Sequence, residues 1–206
     1  PIEYLLNNAE FYWLNFYVDN RVLIPRNDTE VMVKNILKTI NHNINYTLID
    51  VWTWTSCIPI SVLKNSNNFT NWYVLDLSIE ALEVSKINLK NKNLEDKIKQ
   101  FKSDLLNQLF VSNLYLEKNL IISSNLPYIK NNDFENMDEE VILYEPKIAL
   151  YWWEKTWFEL YEKLLDQIFE FKKQFKLEKI FVFFEIWFDQ YEYSKKYLEQ
   201  KWLKFE

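Results

Sequence analysis

Apolar and polar positions change period several times along the chain. Residues 10–24 (EFYWLNFYVDNRVLI) mix aromatic and β-branched side chains with polar ones, the pattern of a β-hairpin or an extended flap. Pro25-Arg26-Asn27 marks a turn. Asp28-Thr29-Glu30 then starts a helix in which Val33, Ile36, Leu37 and Ile40 recur at helical spacing. From residue 46 onward short apolar runs alternate with amphipathic ones. YTLIDV (46–51), YVLDL (73–77), KIKQFKS (97–103), NLIISS (119–124) and KIFVFFEI (179–186) are predicted strands, the last fully apolar. Between the first two lies a short helix carrying Ile58, Ile60, Val62 and Leu63. A longer helix covers 78–91, with Ser78 as N-cap and Ala81, Leu82 and Leu89 on one side. Residues 130–150 are expected to form a long acidic loop, followed by helices over about 156–175 and 189–200.

This alternation predicts βαβ units, a parallel sheet and right-handed crossovers, hence an α/β fold. Ligands of such sheets sit beyond the carboxyl ends of the strands. There the chain places Asp50, Asp76, Asp104, Asn125 and Glu185. Any one of these can simply cap the helix that follows. Their repetition at successive strand ends points to a binding site.

Composition narrows the classes. A chain of 206 residues supports one domain with a real core. The net charge of -6, with no basic tract, argues against nucleic acid or an anionic membrane as the main partner. Cys57 is the single cysteine, so no intramolecular disulfide forms and a reducing, cytoplasmic setting is expected. No apolar run approaches the roughly 18 residues of a membrane span. No metal-ligand spacing stands out, and His42, the one histidine, lies in a polar loop. The anomaly is glycine: there is none, while tryptophan occurs 9 times. Glycine supplies positive φ and close backbone approach at tight turns, helix ends and phosphate loops. A compact α/β chain without it either avoids all such positions or carries another residue where glycine belongs.

The segment Asp50-Val51-Trp52-Thr53-Trp54-Thr55-Ser56 occupies the first strand-to-helix turn. With glycine at 52 and 54 it would be D-V-G-T-G-T-S, which resembles motif I of the S-adenosylmethionine-dependent methyltransferases. Ser56 stands at the third glycine position, where its small size only mildly compromises close approach. The resemblance implies a class I, Rossmann-like, mostly parallel sheet with an N-terminal hairpin flap. It also implies that Trp52, Thr53, Trp54, Thr55 and Ser56 line the cofactor, with Asp76 accepting its ribose hydroxyls. Asp104 and Leu105 would then meet its adenine, as an acceptor and an apolar wall.

Asn125-Leu126-Pro127-Tyr128 resembles the (Asn/Asp)-Pro-Pro-(Tyr/Phe) motif of methyltransferases that act on a planar NH2 group. The chemistry is specific. An amide nitrogen is a poor nucleophile because its lone pair is delocalised. The side-chain oxygen of Asn125 and the carbonyl of Leu126 can each accept one N–H, leaving the remaining lobe facing the methyl donor. Preorganised acceptors stabilise the charge that develops, and Tyr128 can stack on the planar target or lie near the sulfonium. Leu126 replaces the more usual proline; the carbonyl role survives while the turn is less rigid.

Further segments are similar to the HemK-type N5-glutamine methyltransferases, which methylate the glutamine of the Gly-Gly-Gln loop in peptide chain release factors. They are PIEYLL (1–6), EFYW (10–13), LIPRNDTE (23–30), YEPKIALYWW (144–153) with Trp157, and Glu185-Ile186-Trp187 with Gln190. The resemblance covers essentially the whole chain. It implies a monomeric enzyme with release factors as partners and neither membrane nor nucleic acid as substrate. Residues 1–27 would form the hairpin and linker, and 28–206 the catalytic domain. The family's N-terminal helical domain and its final antiparallel strand are expected to be missing. Every tryptophan (13, 52, 54, 72, 152, 153, 157, 187, 202) falls where that family has, or readily accepts, glycine. UGA codons meaning glycine but translated as tryptophan would account for this, and the chain as written would then bind the cofactor poorly. The alternatives are a glutamine methyltransferase of a ribosomal protein, an rRNA or DNA adenine methyltransferase, and a catalytically dead module that still docks a translation factor.

Overall fold

The computed structural model describes residues 1–127, 139–150, 158–187 and 190–201. The chain begins with α1 (Ile2–Leu6), which the sequence pattern did not announce, and a hairpin of β1 (Ala9–Phe11) and β2 (Leu14–Phe16). The hairpin is shorter than the aromatic stretch suggested, and residues 17–24 run without regular structure. Its two-residue turn, Tyr12-Trp13, has φ of 49° and 59°. Two positive values in succession define the primed turn that matches strand twist and favours Asn-Gly.

A 3-10 turn at Asn27–Thr29 leads into α2 (Glu30–Thr39). Then come β3 (Tyr46–Val51), α3 (Cys57–Asn65), β4 (Phe69–Asp76), α4 (Ile79–Asn91) and β5 (Ile98–Lys102). They are followed by a short α5 (Asn107–Phe110) and β6 (Asn119–Ser124). The acidic stretch expected to be a loop is helical in its second half, as α6 (Glu139–Tyr144) and α7 (Lys147–Leu150). Its first half lies outside the described residues. The long helix begins later than expected, as α8 (Glu159–Phe175), and β7 (Lys179–Phe184) and α9 (Tyr191–Gln200) follow.

The strands form a parallel sheet in the order β5-β4-β3-β6-β7. Alternation along the strands feeds two cores. Leu48, Val74 and Ile121 pack under α2 and α3, whereas Ile49, Leu75, Leu120 and Ile122 join Leu160, Leu164 and Phe171 of α8. Every residue of β3 is buried, as expected of a central parallel strand. Apolar β7 is at the edge and only half-buried among the described residues.

Local chemistry explains the ends of the elements. The Ser78 hydroxyl accepts from the Ala81 N–H at 3.1 Å and caps α4. Asn7 and Lys176 close α1 and α8 in the left-handed region, at φ 50° each. From β3 the chain winds outward to β4 and β5 on one side and then crosses back to β6 and β7 on the other. The crevice beyond the ends of β3 and β6 is therefore the topological switch point, where such sheets bind ligands.

Candidate active site

The loop after β3 is built as a cradle. Trp52, Trp54 and Ser56 have φ of 68°, 50° and 60°, alternating with residues of negative φ. The Trp52 and Thr53 N–H groups donate to the Leu75 carbonyl at 2.8 and 3.0 Å, which anchors the loop to β4. The Trp54 N–H donates to Asp76 Oδ2 at 3.0 Å, and the Ser78 N–H donates to Oδ1 at 2.9 Å. Asp50 accepts from Thr53 Oγ1 at 2.5 Å and, across the switch point, from Ser123 Oγ at 2.6 Å.

The indoles of Trp52 and Trp54 are 3% and 5% exposed and lie in the apolar cluster with Leu105, Leu126 and Phe158. Their ring centroids are 6.2 Å apart. Among the described residues Trp54 Nε1 has no acceptor. Left-handed backbone and strand-end carboxyls are elements of a nucleoside cradle, yet both carboxyls here accept from the protein's own donors and the two indoles are packed into the core beside them, so the chain as written does not fit such a cofactor.

Burial pushes the Asp50 carboxyl up to about 7, against the lowering effect of its Ser123 and Thr53 hydrogen bonds. Burial does the same to Asp76, against its backbone donors and with the charge of Asp50 adding to the rise. A carboxyl with a raised folded pKa holds its proton more tightly when folded. Its contribution to stability is present at low pH and lost as pH rises through about 7. The chain as written is therefore expected to melt at a higher temperature near pH 5.5 than near pH 7.5. Circular dichroism melts check this: Asp50→Asn should flatten the slope, and an unchanged slope in that variant would count against the assignment.

The second half of the site sits after β6. Asn125 is 8% exposed, and its Nδ2 lies 3.4 Å from Thr29 Oγ1. Thr29 Oγ1 in turn donates to Glu185 Oε2 at 2.6 Å. The Leu126 N–H donates to the Tyr161 hydroxyl at 3.2 Å, and that hydroxyl donates to the Glu185 carbonyl. Tyr161 thus ties the ends of β6 and β7 together. The side chain of Leu126 is buried at 1% exposure, and Pro127 completes the described part of the motif. Tyr128 lies outside the described residues, as do the tryptophans at 152, 153, 157 and 202.

The segment at 26–30 links the surrounding pieces. The Arg26 guanidinium pairs with Glu145, which is 4% exposed. Burial raises the Glu145 carboxyl, and Arg26 opposes the rise. The Glu30 carboxylate accepts from the Tyr12 N–H at 2.7 Å, at the hairpin turn. A cavity of about 420 Å³ opens beside this segment, lined among others by Ile24, Arg26, Val141 and Glu145.

The structure brings Asp50, residues 52–56, Asp76, Asn125 and Leu126 together at the carboxyl ends of β3, β4 and β6. Asp104 is set apart: its Oδ2 accepts from Lys163 Nζ at 2.8 Å in a partly exposed ion pair. Its neighbour Leu105 is fully buried, at φ 51°. Three residues had no role in the sequence pattern. Asn88 accepts from the Tyr17 N–H at 2.7 Å and donates to the carbonyls of Tyr17 and Thr55, clamping the flap to the cradle. Ser123 and Tyr161 are the others. A buried Asn in mid-helix and a Ser ending an apolar strand were the available signals.

Solved structures of similar fold include the catalytic domain of human METTL16. It superposes with a TM-score of 0.63 and 16% identity, over 92% of this chain and 68% of that one. The ribosomal protein L11 methylase of Lactobacillus delbrueckii subsp. bulgaricus gives 0.58 and 15%, over 89% and 72%. The sheet order, the cradle at the switch point and these likenesses define a class I S-adenosylmethionine-dependent methyltransferase fold. No family model matches.

Curated relatives are more specific. The release factor glutamine methyltransferase of Clostridium acetobutylicum is 38% identical over 150 residues, 73% of this chain and 51% of its own length. That of Mycoplasma mycoides subsp. mycoides is 34% identical over 181 residues, 85% of this chain and 61% of its own. The ribosomal protein uL3 glutamine methyltransferase of Francisella tularensis subsp. tularensis is 34% identical over 152 residues, 73% and 46%. These relatives support a likeness to the HemK-type glutamine methyltransferases over most of the chain. The chain spans about half the length of the curated relatives it matches.

Proposed function

We propose that this chain, with glycine at positions 13, 52 and 54, methylates the side-chain amide nitrogen of the glutamine in the Gly-Gly-Gln loop of peptide chain release factors. The observation that carries the reading is Asn125, held after β6 at the switch point with its amide nitrogen turned to Thr29. S-adenosylmethionine supplies an electrophilic methyl group when bound. Asp76, the loop at 52–56 and the buried Leu105 would hold it, and Asp104 would reach its adenine once freed from Lys163. Asn125 Oδ1 accepts one N–H of the glutamine amide. The Leu126 carbonyl accepts the other. Among the described residues the Tyr161 hydroxyl lies 3.4 Å from it and makes its shorter bond to the Glu185 carbonyl. Tyr128 would stack on the amide plane. Fixing both protons orients the nitrogen without a dedicated base, fixed dipoles stabilise charge where it develops, and one of the two protons leaves to water once nitrogen has taken up the methyl group. The enzyme would act as a monomer on protein rather than on nucleic acid, in keeping with its net charge of -6.

The glycine reading is supported by backbone conformation as well as likeness. Among the described residues nine non-glycine positions have positive φ, and Trp13, Trp52 and Trp54 are three of them. Trp72 and Trp187 are not among them, and Trp72 lies within β4 beside Phe69. At Trp72, buried in the core, neither backbone nor packing calls for glycine, and at Trp187 the backbone does not require it. Codons or peptide masses of the natural protein decide it; UGG codons at 52 and 54 would favour the dead docking module.

The glutamine reading is tested with a tritiated methyl donor. Label is expected on a release factor fragment containing Gly-Gly-Gln and is expected to vanish when that glutamine becomes alanine. Label on ribosomal protein uL3 instead would move the chain to the sister activity. Label on rRNA or DNA would replace the glutamine reading with the adenine one.

A further inference from the structure

We infer that Thr29 and Glu185 are positioning residues that decide which end of the Asn125 amide faces the substrate. The inference rests on the glutamine reading for its catalytic consequence, but its geometry stands apart from it. Thr29 is 4% exposed and joins two sequence segments that the mechanism otherwise leaves idle, LIPRNDTE (23–30) and Glu185-Ile186-Trp187.

The argument is one of proton counting. A threonine hydroxyl has a single proton, and an ionised carboxylate can only accept. At 2.6 Å from Glu185 Oε2, the Thr29 hydroxyl commits its proton to the carboxylate, in a charge-assisted bond. Only lone pairs remain on Thr29 Oγ1 for Asn125. An amide oxygen placed there would meet another acceptor, whereas an NH2 group donates to it. The contact is long, at 3.4 Å; the polarity of Thr29 makes it directional, not its length. With Nδ2 fixed on Thr29, Oδ1 is turned away and, among the described residues, is left to accept an N–H of the substrate. Flipping the amide would present a donor to the substrate's own donor. Thr29 sits directly before α2 and Glu185 directly after β7, so neither can shift without moving an element of the fold.

Two readouts separate this inference from the reading beneath it. The first is the side-chain amide pair of Asn125 in a nitrogen–proton correlation spectrum of the chain as written, with no substrate present. Thr29→Val and Glu185→Gln are expected to move that pair and speed its exchange with water. Thr29→Ser, which keeps the hydroxyl, should restore the parent signals. The second is turnover on the Gly-Gly-Gln fragment in the chain with glycine at 52 and 54. There kcat should fall about 10- to 100-fold in Thr29→Val, with KM for the fragment and cofactor affinity within about twofold. Thr29→Ser should recover most of the loss. In Glu185→Gln the new amide can donate to Thr29 and release its proton toward Asn125, so a smaller loss in the same direction is expected. An unmoved amide pair, or a Thr29→Val variant with parental kcat, overturns the inference. A moved pair in a chain with no glutamine activity supports the positioning and removes the glutamine reading.

Discussion

Changing Trp52 and Trp54 together to glycine is expected to turn a chain with negligible affinity for S-adenosylmethionine into one that binds it. The gain should be at least about a hundredfold, or roughly 2.8 kcal/mol. The effect on binding is one of excluded volume, whereas backbone strain and the buried indole nitrogen bear on the stability of the empty chain. The backbone at both positions is left-handed, at φ 68° and 50°, which costs a non-glycine residue roughly 1–2 kcal/mol. The indoles also fill the cleft, and Trp54 Nε1 is buried without an acceptor among the described residues, a further cost of about 1–3 kcal/mol.

The opposing effect is packing. Truncating a buried aromatic typically loses about 3–5 kcal/mol. The glycine chain should therefore be less stable than the tryptophan chain when empty. It should recover on adding cofactor, by about 4 kcal/mol at a thousandfold excess over Kd. Titration calorimetry and a ligand-dependent thermal shift read both signs. Comparable binding by the chain as written would remove the glycine proposal.

Asn125→Ala in the glycine-bearing chain is expected to lower kcat by about 10²- to 10³-fold, the usual cost of one oriented group at a developing charge. Cofactor affinity should stay within several-fold, because the cradle contacts of Asp76 and the loop at 52–56 do not pass through Asn125. Asn125→Asp is the informative companion. A carboxylate there would face the lone pairs of Thr29, lose the Nδ2 contact and disturb the Glu185 pairing. Single-turnover kinetics separate the methyl-transfer step from binding. Near-normal turnover in Asn125→Ala would take the residue out of the mechanism.

Five residues, Asp50, Asp76, Asp104, Asn125 and Glu185, were legible as strand-end polar groups because strand period and length are local properties. Four of them converge on the crevice or its border, whereas Asp104 is drawn outward by Lys163 on α8. That pairing joins residues 59 apart in sequence, and no local pattern encodes it. The stretch expected to be one acidic loop proved helical over Glu139–Tyr144 and Lys147–Leu150. Short helices lack the several turns of periodicity that would announce them. The hairpin was visible in its aromatic alternation, yet its length is set by a two-residue turn whose residues, Tyr12 and Trp13, carry none of the usual turn signals.

The alternation of short apolar runs with amphipathic ones sufficed for the α/β class, the order of the sheet strands and the long helices along the chain, and the two motifs at the switch point. These follow from backbone periodicity and from chemistry confined to a few adjacent residues. Strand order, and with it the meeting of Asp50 with Ser123, depended on tertiary structure. So did the Arg26–Glu145 pair, the Asn88 clamp and the contacts from Thr29 to Asn125 and Glu185. Thr29 bonds to residues 96 and 156 positions away. The direction of a single hydroxyl proton is chosen by whichever acceptors the fold delivers to it, and that choice exists only once three distant segments are packed together.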